Sequence, residues 1–182
     1  MRSMRKSLGL GIVALLAGCY MSSPAQEDAA GEPSCTGNPA TAAVVDRVAS
    51  VSAPTEGTIR VTLAGGGTWL LDLADHSALV WADIIESIRS RGDFVYLEYD
   101  RETRVVVDLG LPMEYEVLTI RDAADGVDVT FEISAAIHHL LRTQPCYDFF
   151  LGTLRDALAR GTKVLVTDSV TYDHMLDVRP MP

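Results

Sequence analysis

Apolar and polar residues alternate most cleanly in Thr58–Leu63, where Ile59, Val61 and Leu63 share one face and Arg60 and Thr62 the other. This is the period-two pattern of a half-buried strand. Gly65-Gly66-Gly67 supplies a flexible turn, and Thr68–Leu73 returns with Trp69, Leu71 and Leu73 aligned, so a hairpin is predicted. Val44, Val45 and Val48 open a strand-like region ahead of it. The period then changes. Trp81, Ile84, Ile85 and Ile88 fall at i, i+3, i+4 and i+7, which predicts a helix with Ser77 as its N-cap, Arg89 and Arg91 in the last turn and Gly92 as the stop. Phe94–Asp100 and Arg104–Leu109 read as a second hairpin across 101–103, and Glu114–Ile120 as a further strand.

The second half follows the same plan. Val127, Val129, Phe131 and Ile133 alternate with Asp128, Thr130 and Glu132. Asp148–Arg160 places Phe150, Leu154, Ala157 and Leu158 on one helical face, Gly161 ends it, and Lys163–Thr167 with Met175–Val178 form another strand pair. Val61-Thr62-Leu63 aligns with Val129-Thr130-Phe131 at a spacing of 68, while Gly92 and Gly161, Val95 and Val164, and Asp108 and Asp177 align at 69. The expected fold is α+β, with a largely antiparallel sheet and two main helices. Two ββαββ repeats, 43–112 and 113–182, are one reading of the single domain 43–182; a chance match of two similar halves is the other.

Ahead of the domain the patterning is of another kind. Arg2, Arg5 and Lys6 precede an uncharged apolar stretch from Leu8 to Ala17, too short for a transmembrane helix, which needs about 20 apolar residues. That is the layout of a secretory signal peptide. It ends in Leu16-Ala17-Gly18-Cys19, which closely resembles the lipobox of bacterial lipoproteins. The resemblance covers residues 1–19 only. It implies removal of 1–18, a diacylglycerol thioether on Cys19, acylation of the new amino terminus and attachment to a membrane through that lipid. Tyr20, standing where an Asp would mark inner-membrane retention, directs the expectation to the periplasmic side of the outer membrane. Residues 19–42 are rich in Ser, Pro, Ala, Gly and acidic side chains, too poor in apolar surface to offset ordering entropy, and read as the lipidated cysteine and a flexible tether. Gly9-x-Gly11-x-x-Ala14 matches a loose dinucleotide pattern, but it lies in the removed segment without a preceding strand.

The chain carries 15 basic and 25 acidic residues; three of the basic ones are in 1–18, so 19–182 has 12 minus 25, or −13. Nucleic acid, which rewards clustered Lys and Arg, is excluded as a partner. With Cys19 given to lipid, Cys35 and Cys146 remain for one disulfide in an oxidising compartment; two separate thiols are the alternative. Four histidines, His76, His138, His139 and His174, invite a metal, but adjacent residues of a strand point to opposite faces, and neither HExxH, CxxC nor an aspartate-rich calcium loop occurs. No metal site or cofactor is implied. Asp72, Asp75 and His76 crowd one loop and offer a base with an orienting acid, although Asp is an ordinary turn residue. A G-x-S-x-G elbow is absent. One of Phe149 and Phe150 should face the core and the other an open surface. The function expected is an interaction or scaffolding module of the envelope with an unidentified protein partner and no catalytic residues. A binder of a small ligand or cell-wall fragment comes second, and a hydrolase on Asp72, Asp75 and His76 third.

Overall fold

The computed structural model describes residues 35–169 and 174–182. Ten strands and two helices are present among them: β1 Thr41–Val51, β2 Thr58–Leu63, β3 Thr68–Asp72, α1 Ala78–Arg91, β4 Phe94–Asp100 and β5 Val106–Gly110, then β6 Met113–Asp122, β7 Gly126–Phe131, β8 His138–Leu141, α2 Tyr147–Arg160, β9 Lys163–Asp168 and β10 Met175–Pro180. The fold is α+β, with two five-stranded antiparallel sheets ordered β3-β2-β1-β4-β5 and β10-β9-β6-β7-β8. Each repeat thus carries three strands ahead of its helix, one more than the ββαββ plan. In the second half the strand missing from that plan is β8, only four residues long; in the first half the strand-like region at Val44, Val45 and Val48 is a full strand of eleven residues, β1.

That long strand is shared. Thr41–Arg47 of β1 pair with β4, and Val48–Val51 pair with β2 across a register shift at Val48/Ser50. In the second half Met113–Glu116 pair with β9 and Val117–Asp122 with β7, shifting at Val117/Thr119. Such shifts bend a strand and raise its twist, so it can belong to two sheet faces at once. The free edges then meet through parallel bridges, Leu70 to Val105 beside β3 and β5, and His139 to His174 beside β8 and β10. Strand order 1-2-3-5-4-1, with a helix between the third and fourth strands, is the topology of the OB-fold, a partly open Greek-key barrel. This protein holds two in tandem.

The two barrels correspond in register. Arg47–Phe94 becomes Glu116–Lys163, Tyr99–Val106 becomes Asp168–Met175, and Glu98–Asp108 becomes Thr167–Asp177, each residue moved by 69. The connection from the long strand to β7 is one residue shorter, which sets Val61–Trp69 against Val129–His138, moved by 68 and 69. The β7–β8 loop restores the residue. Each barrel has its own core: Val61, Leu71, Ile85, Ile88, Val95 and Leu97 in the first, and Val129, Leu140, Phe150, Leu154, Val164 and Val166 in the second. The helices plug them with similar faces, although Ile84 and Leu158, predicted on those faces, are exposed to about 37% and 40%. Both helices stop at a left-handed glycine, Gly92 at φ 72° and Gly161 at φ 61°. Ser77 sits at the N-cap of α1, but its side chain makes no capping bond; its amide donates to Asp75 Oδ1 at 2.7 Å.

The domain begins earlier than expected. Thr41, assigned to the tether, starts β1, and its hydroxyl donates to Glu98 Oε1 at 2.6 Å. Upstream, Cys35 is buried in the core of the second barrel and bonded to Cys146 at the start of α2, with Cα atoms 5.2 Å apart. The segment leading into the first barrel is therefore fastened to the second. The rest of the tether and Cys19 lie outside the described residues. Between the barrels the outer faces of β4 and β9 are also covered. Gly110 of β5 lies so close to β9 that a Cβ there would sit 2.6 Å from Thr167 Cγ2. Burial, followed by the charges of Glu98, Asp177 and Asp108, raises the Tyr96 phenol far above its ordinary range. Asp177 and Arg179, both buried, pair at 2.9 Å.

Two outcomes follow from this packing. Replacing Cys35 and Cys146 together by Ser releases a loop of 111-residue separation and should lower stability by roughly 2–5 kcal/mol, read from chemical denaturation. Gly110→Ala should cost about 1–3 kcal/mol by overpacking. The cost should shrink in a Thr167→Ser background, which removes the opposing methyl, as a double-mutant cycle would measure.

Candidate functional site

The mouth of the second barrel gathers polar groups that the first lacks. The β7–β8 loop, 132–137, carries Ser134, whose hydroxyl lies 2.8 Å from His138 Nε2. His138 is the first residue of β8 and points inward, 7% exposed. Its Nδ1 lies 2.9 and 3.0 Å from the two carboxylate oxygens of Asp168, at the end of β9. An aromatic wall fixes the ring: Phe131 meets it edge-on at 4.8 Å between centroids, Tyr115 is tilted at 5.3 Å, and Tyr115 and Phe131 stack at 4.6 Å. The Ala136 amide donates to Ser134 Oγ at 3.2 Å. Burial and the Asp168 charge raise the Tyr115 phenol, and the Ser134 hydroxyl, whose single proton serves either the Tyr115 oxygen or His138 Nε2, opposes them.

Proton placement follows from the partners. A carboxylate can only accept, so Asp168 calls for the proton on Nδ1. In the neutral ring this leaves Nε2 as an acceptor, and the Ser134 hydroxyl donates to it. Serine, histidine and aspartate are then joined in the order and orientation of an activated hydroxyl nucleophile.

The first barrel shows what the same positions do without this chemistry. His138 corresponds to Trp69 and Asp168 to Tyr99, paired edge to face at 5.6 Å. The Arg104 guanidinium lies 5.9 Å from the Trp69 ring and 5.3 Å from that of Tyr99. Asp46, the counterpart of Tyr115, accepts from the Gly65 amide at 2.6 Å. The matching stretch is Ala64-Gly65-Gly66-Gly67-Thr68, against Glu132-Ile133-Ser134-Ala135-Ala136-Ile137. An aromatic plug closes one mouth and a polar relay the other.

Comparison with protein-family models, with curated proteins and with solved structures returns no match to this chain.

Two further polar surfaces occur on the second barrel. On the outer face of β7 and β8, His139 Nδ1 lies 2.7 Å from Asp128 and Nε2 lies 3.0 Å from Asp125, while the Thr119 and Thr130 hydroxyls bond at 2.8 Å. Beside the start of α2 a groove of about 830 Å³ is lined by Asp122, Arg142, Gln144, Tyr147, Phe149 and Arg155 among others. Phe149 is 37% exposed there and Phe150 is fully buried, the division expected of the pair.

The loop residues singled out from sequence do not assemble. Asp72 Oδ1 accepts from the Ala74 amide and Asp75 Oδ1 from that of Ser77, so both serve the turn into α1. Among the described residues no hydrogen bond or ion pair joins His76 to either. His138 and His139 point to opposite faces of β8, and no group of three or more His, Cys, Asp or Glu among the described residues is arranged to hold a metal ion. Cys35 and Cys146 are joined. Ser134 and Asp168 were missed because 30 residues separate Asp168 from His138 and no local motif links them.

The relay also bears on stability. His138→Ala would remove a buried ring and strip Ser134 and Asp168 of their shared partner. Unfolding free energy should fall by about 2–4 kcal/mol, measured by denaturant titration, with a smaller loss for Ser134→Ala.

Proposed function

We propose that this protein is a lipid-anchored interaction module of the cell envelope, cut ahead of Cys19 and held on the periplasmic side of the outer membrane. The observation that carries the binding half of this reading is the tandem barrel. OB-folds present their second and third strands and adjoining loops as a ligand surface, and here that surface occurs twice in one chain. Export is supported by the apolar leader ending in Leu16-Ala17-Gly18-Cys19 and by the Cys35–Cys146 bond, which suits an oxidising compartment. No helix among the described residues is long and apolar enough to cross a membrane.

The ligand surface itself restricts the partner. A charge of −13 over 19–182 repels polyanions such as nucleic acid. The outer face of β7 and β8 offers the Asp125 and Asp128 carboxylates, His139 and paired threonine hydroxyls, groups suited to a hydroxyl- or amine-bearing partner. A small-ligand or cell-wall-fragment reading is favoured by the groove at α2, where arginines, a carboxylate and aromatic rings line one volume.

Fractionation of the native host tests the anchor: Cys19→Ser should move the protein from the membrane pellet to the soluble fraction, and unchanged sedimentation would refute it. Co-sedimentation with purified cell-wall sacculi tests the ligand face. The wild type should pellet, and the Asp128→Ala/His139→Ala double variant should lose most of that binding while remaining folded.

A further inference from the structure

We propose that the mouth of the second barrel is a hydrolytic centre for small apolar acyl esters, with Ser134 as nucleophile, His138 as general base and acid, and Asp168 as the positioning residue. This adds an activity to the interaction module and does not depend on how the chain is anchored or what its outer face binds.

Three independent observations converge here. The first is the relay, with 2.8 Å from Ser134 Oγ to His138 Nε2 and 2.9 Å from Nδ1 to Asp168. The second is the sister barrel, which closes the same mouth with Trp69 and Tyr99. The fold therefore does not need a histidine and an aspartate at these positions. The third is the rim. Ser134 is only partly buried, and its loop carries Ile133 and Ile137 at 73% and 62% exposure, where the first barrel has Ala64 and Thr68. Branched apolar side chains held in water on both sides of a relayed hydroxyl suit an apolar acyl chain more than a polar substrate.

The reaction balances with water as the only co-reactant. Ser134 Oγ attacks the ester carbonyl carbon while its proton passes to His138 Nε2. Collapse breaks the bond from the acyl carbon to the alkoxy oxygen, and His138 returns the proton to the leaving alcohol. Water then adds to the acyl-serine and gives one proton to His138. The Oγ–acyl bond breaks, Oγ recovers that proton, and the acid departs. Asp168 holds the ring in the tautomer that accepts from serine and stabilises the imidazolium that forms in each half-reaction.

The test uses the full chain in detergent, with p-nitrophenyl butyrate as substrate and a fluorophosphonate as trap. The expected result is ester turnover with a single phosphonyl adduct on the peptide containing Ser134. Ser134→Ala, which deletes one atom at a partly exposed position, should lose the adduct and at least about 10³-fold in kcat/KM with an unchanged circular dichroism spectrum. Asp168→Asn should lower kcat by roughly 10²–10⁴-fold with KM little changed, a split that a merely structural role would not give. Ile133→Asp should raise KM for the butyrate more than for the acetate ester and leave kcat largely intact. No adduct on a folded wild type would overturn the proposal, and so would an adduct on another residue. Turnover that survives Ser134→Ala would overturn it equally.

Discussion

Each barrel exists because one strand is long enough to serve two neighbours at once. Thr41–Arg47 give their hydrogen bonds to β4 and Val48–Val51 to β2, and Met113–Glu116 and Val117–Asp122 divide in the same way between β9 and β7. A flat strand could not do this, since two sheet faces that must close on each other differ in direction. The register shift in the middle of each long strand resolves the conflict, because a bulge bends the strand without breaking its pairing on either side. Once the bend is made, the free edges are brought together, and Leu70 meets Val105 as His139 meets His174. The helix between the third and fourth strands then covers the open end with Ile85 and Ile88, or with Phe150 and Leu154.

Because the same construction occurs twice, each barrel is a control for the other. Core positions keep their character under the shift of 69: Val95 and Val164, Leu97 and Val166, Ile85 and Leu154. Positions at the mouth do not. Trp69 gives way to His138, Tyr99 to Asp168 and Asp46 to Tyr115. Closing the barrel fixes the spacing of these positions, and their chemistry is free to vary above a conserved core. That separation is how one fold carries different sites.

Much of the architecture was legible along the chain. The β2–β3 hairpin, both helices with their glycine stops and the β9–β10 pair show in local periodicity, since each buries one face against one neighbour. The long strands were less legible. β1 has only Thr41 and Val48 buried among its eleven residues, so its bounds are blurred, and β8 is only four residues long, so the second half reads as four strands in place of five. Residues 35–42 looked like tether because their composition is polar, yet Cys35 is held by a partner 111 residues away, which no local pattern announces. The site was the least legible part. Along the chain His138 is one of four scattered histidines and Ser134 an ordinary loop serine, because Asp168 reaches them only after β8 and β9 are wrapped around β6. The alignment of the two halves did hold a signal: Gly65 and Trp69 become Ser134 and His138 in otherwise matching strands.

The disulfide gives the tandem arrangement its mechanical sense. Cys35 precedes the first barrel in sequence but packs in the core of the second, against the start of α2. A pull on the chain upstream of Cys35 is therefore passed first to the second barrel, while β1 is shielded behind the bond. Under the amino-terminal anchor proposed above, this matters. Without the bond, tension would act on Thr41 and on the long strand that both sheet faces of the first barrel share, where peeling one residue loosens two neighbours. With it, the load enters at the N-terminus of a helix whose Phe150 and Leu154 are fully buried. Under that proposal, the barrel that takes the load is the one that carries Ser134, His138 and Asp168.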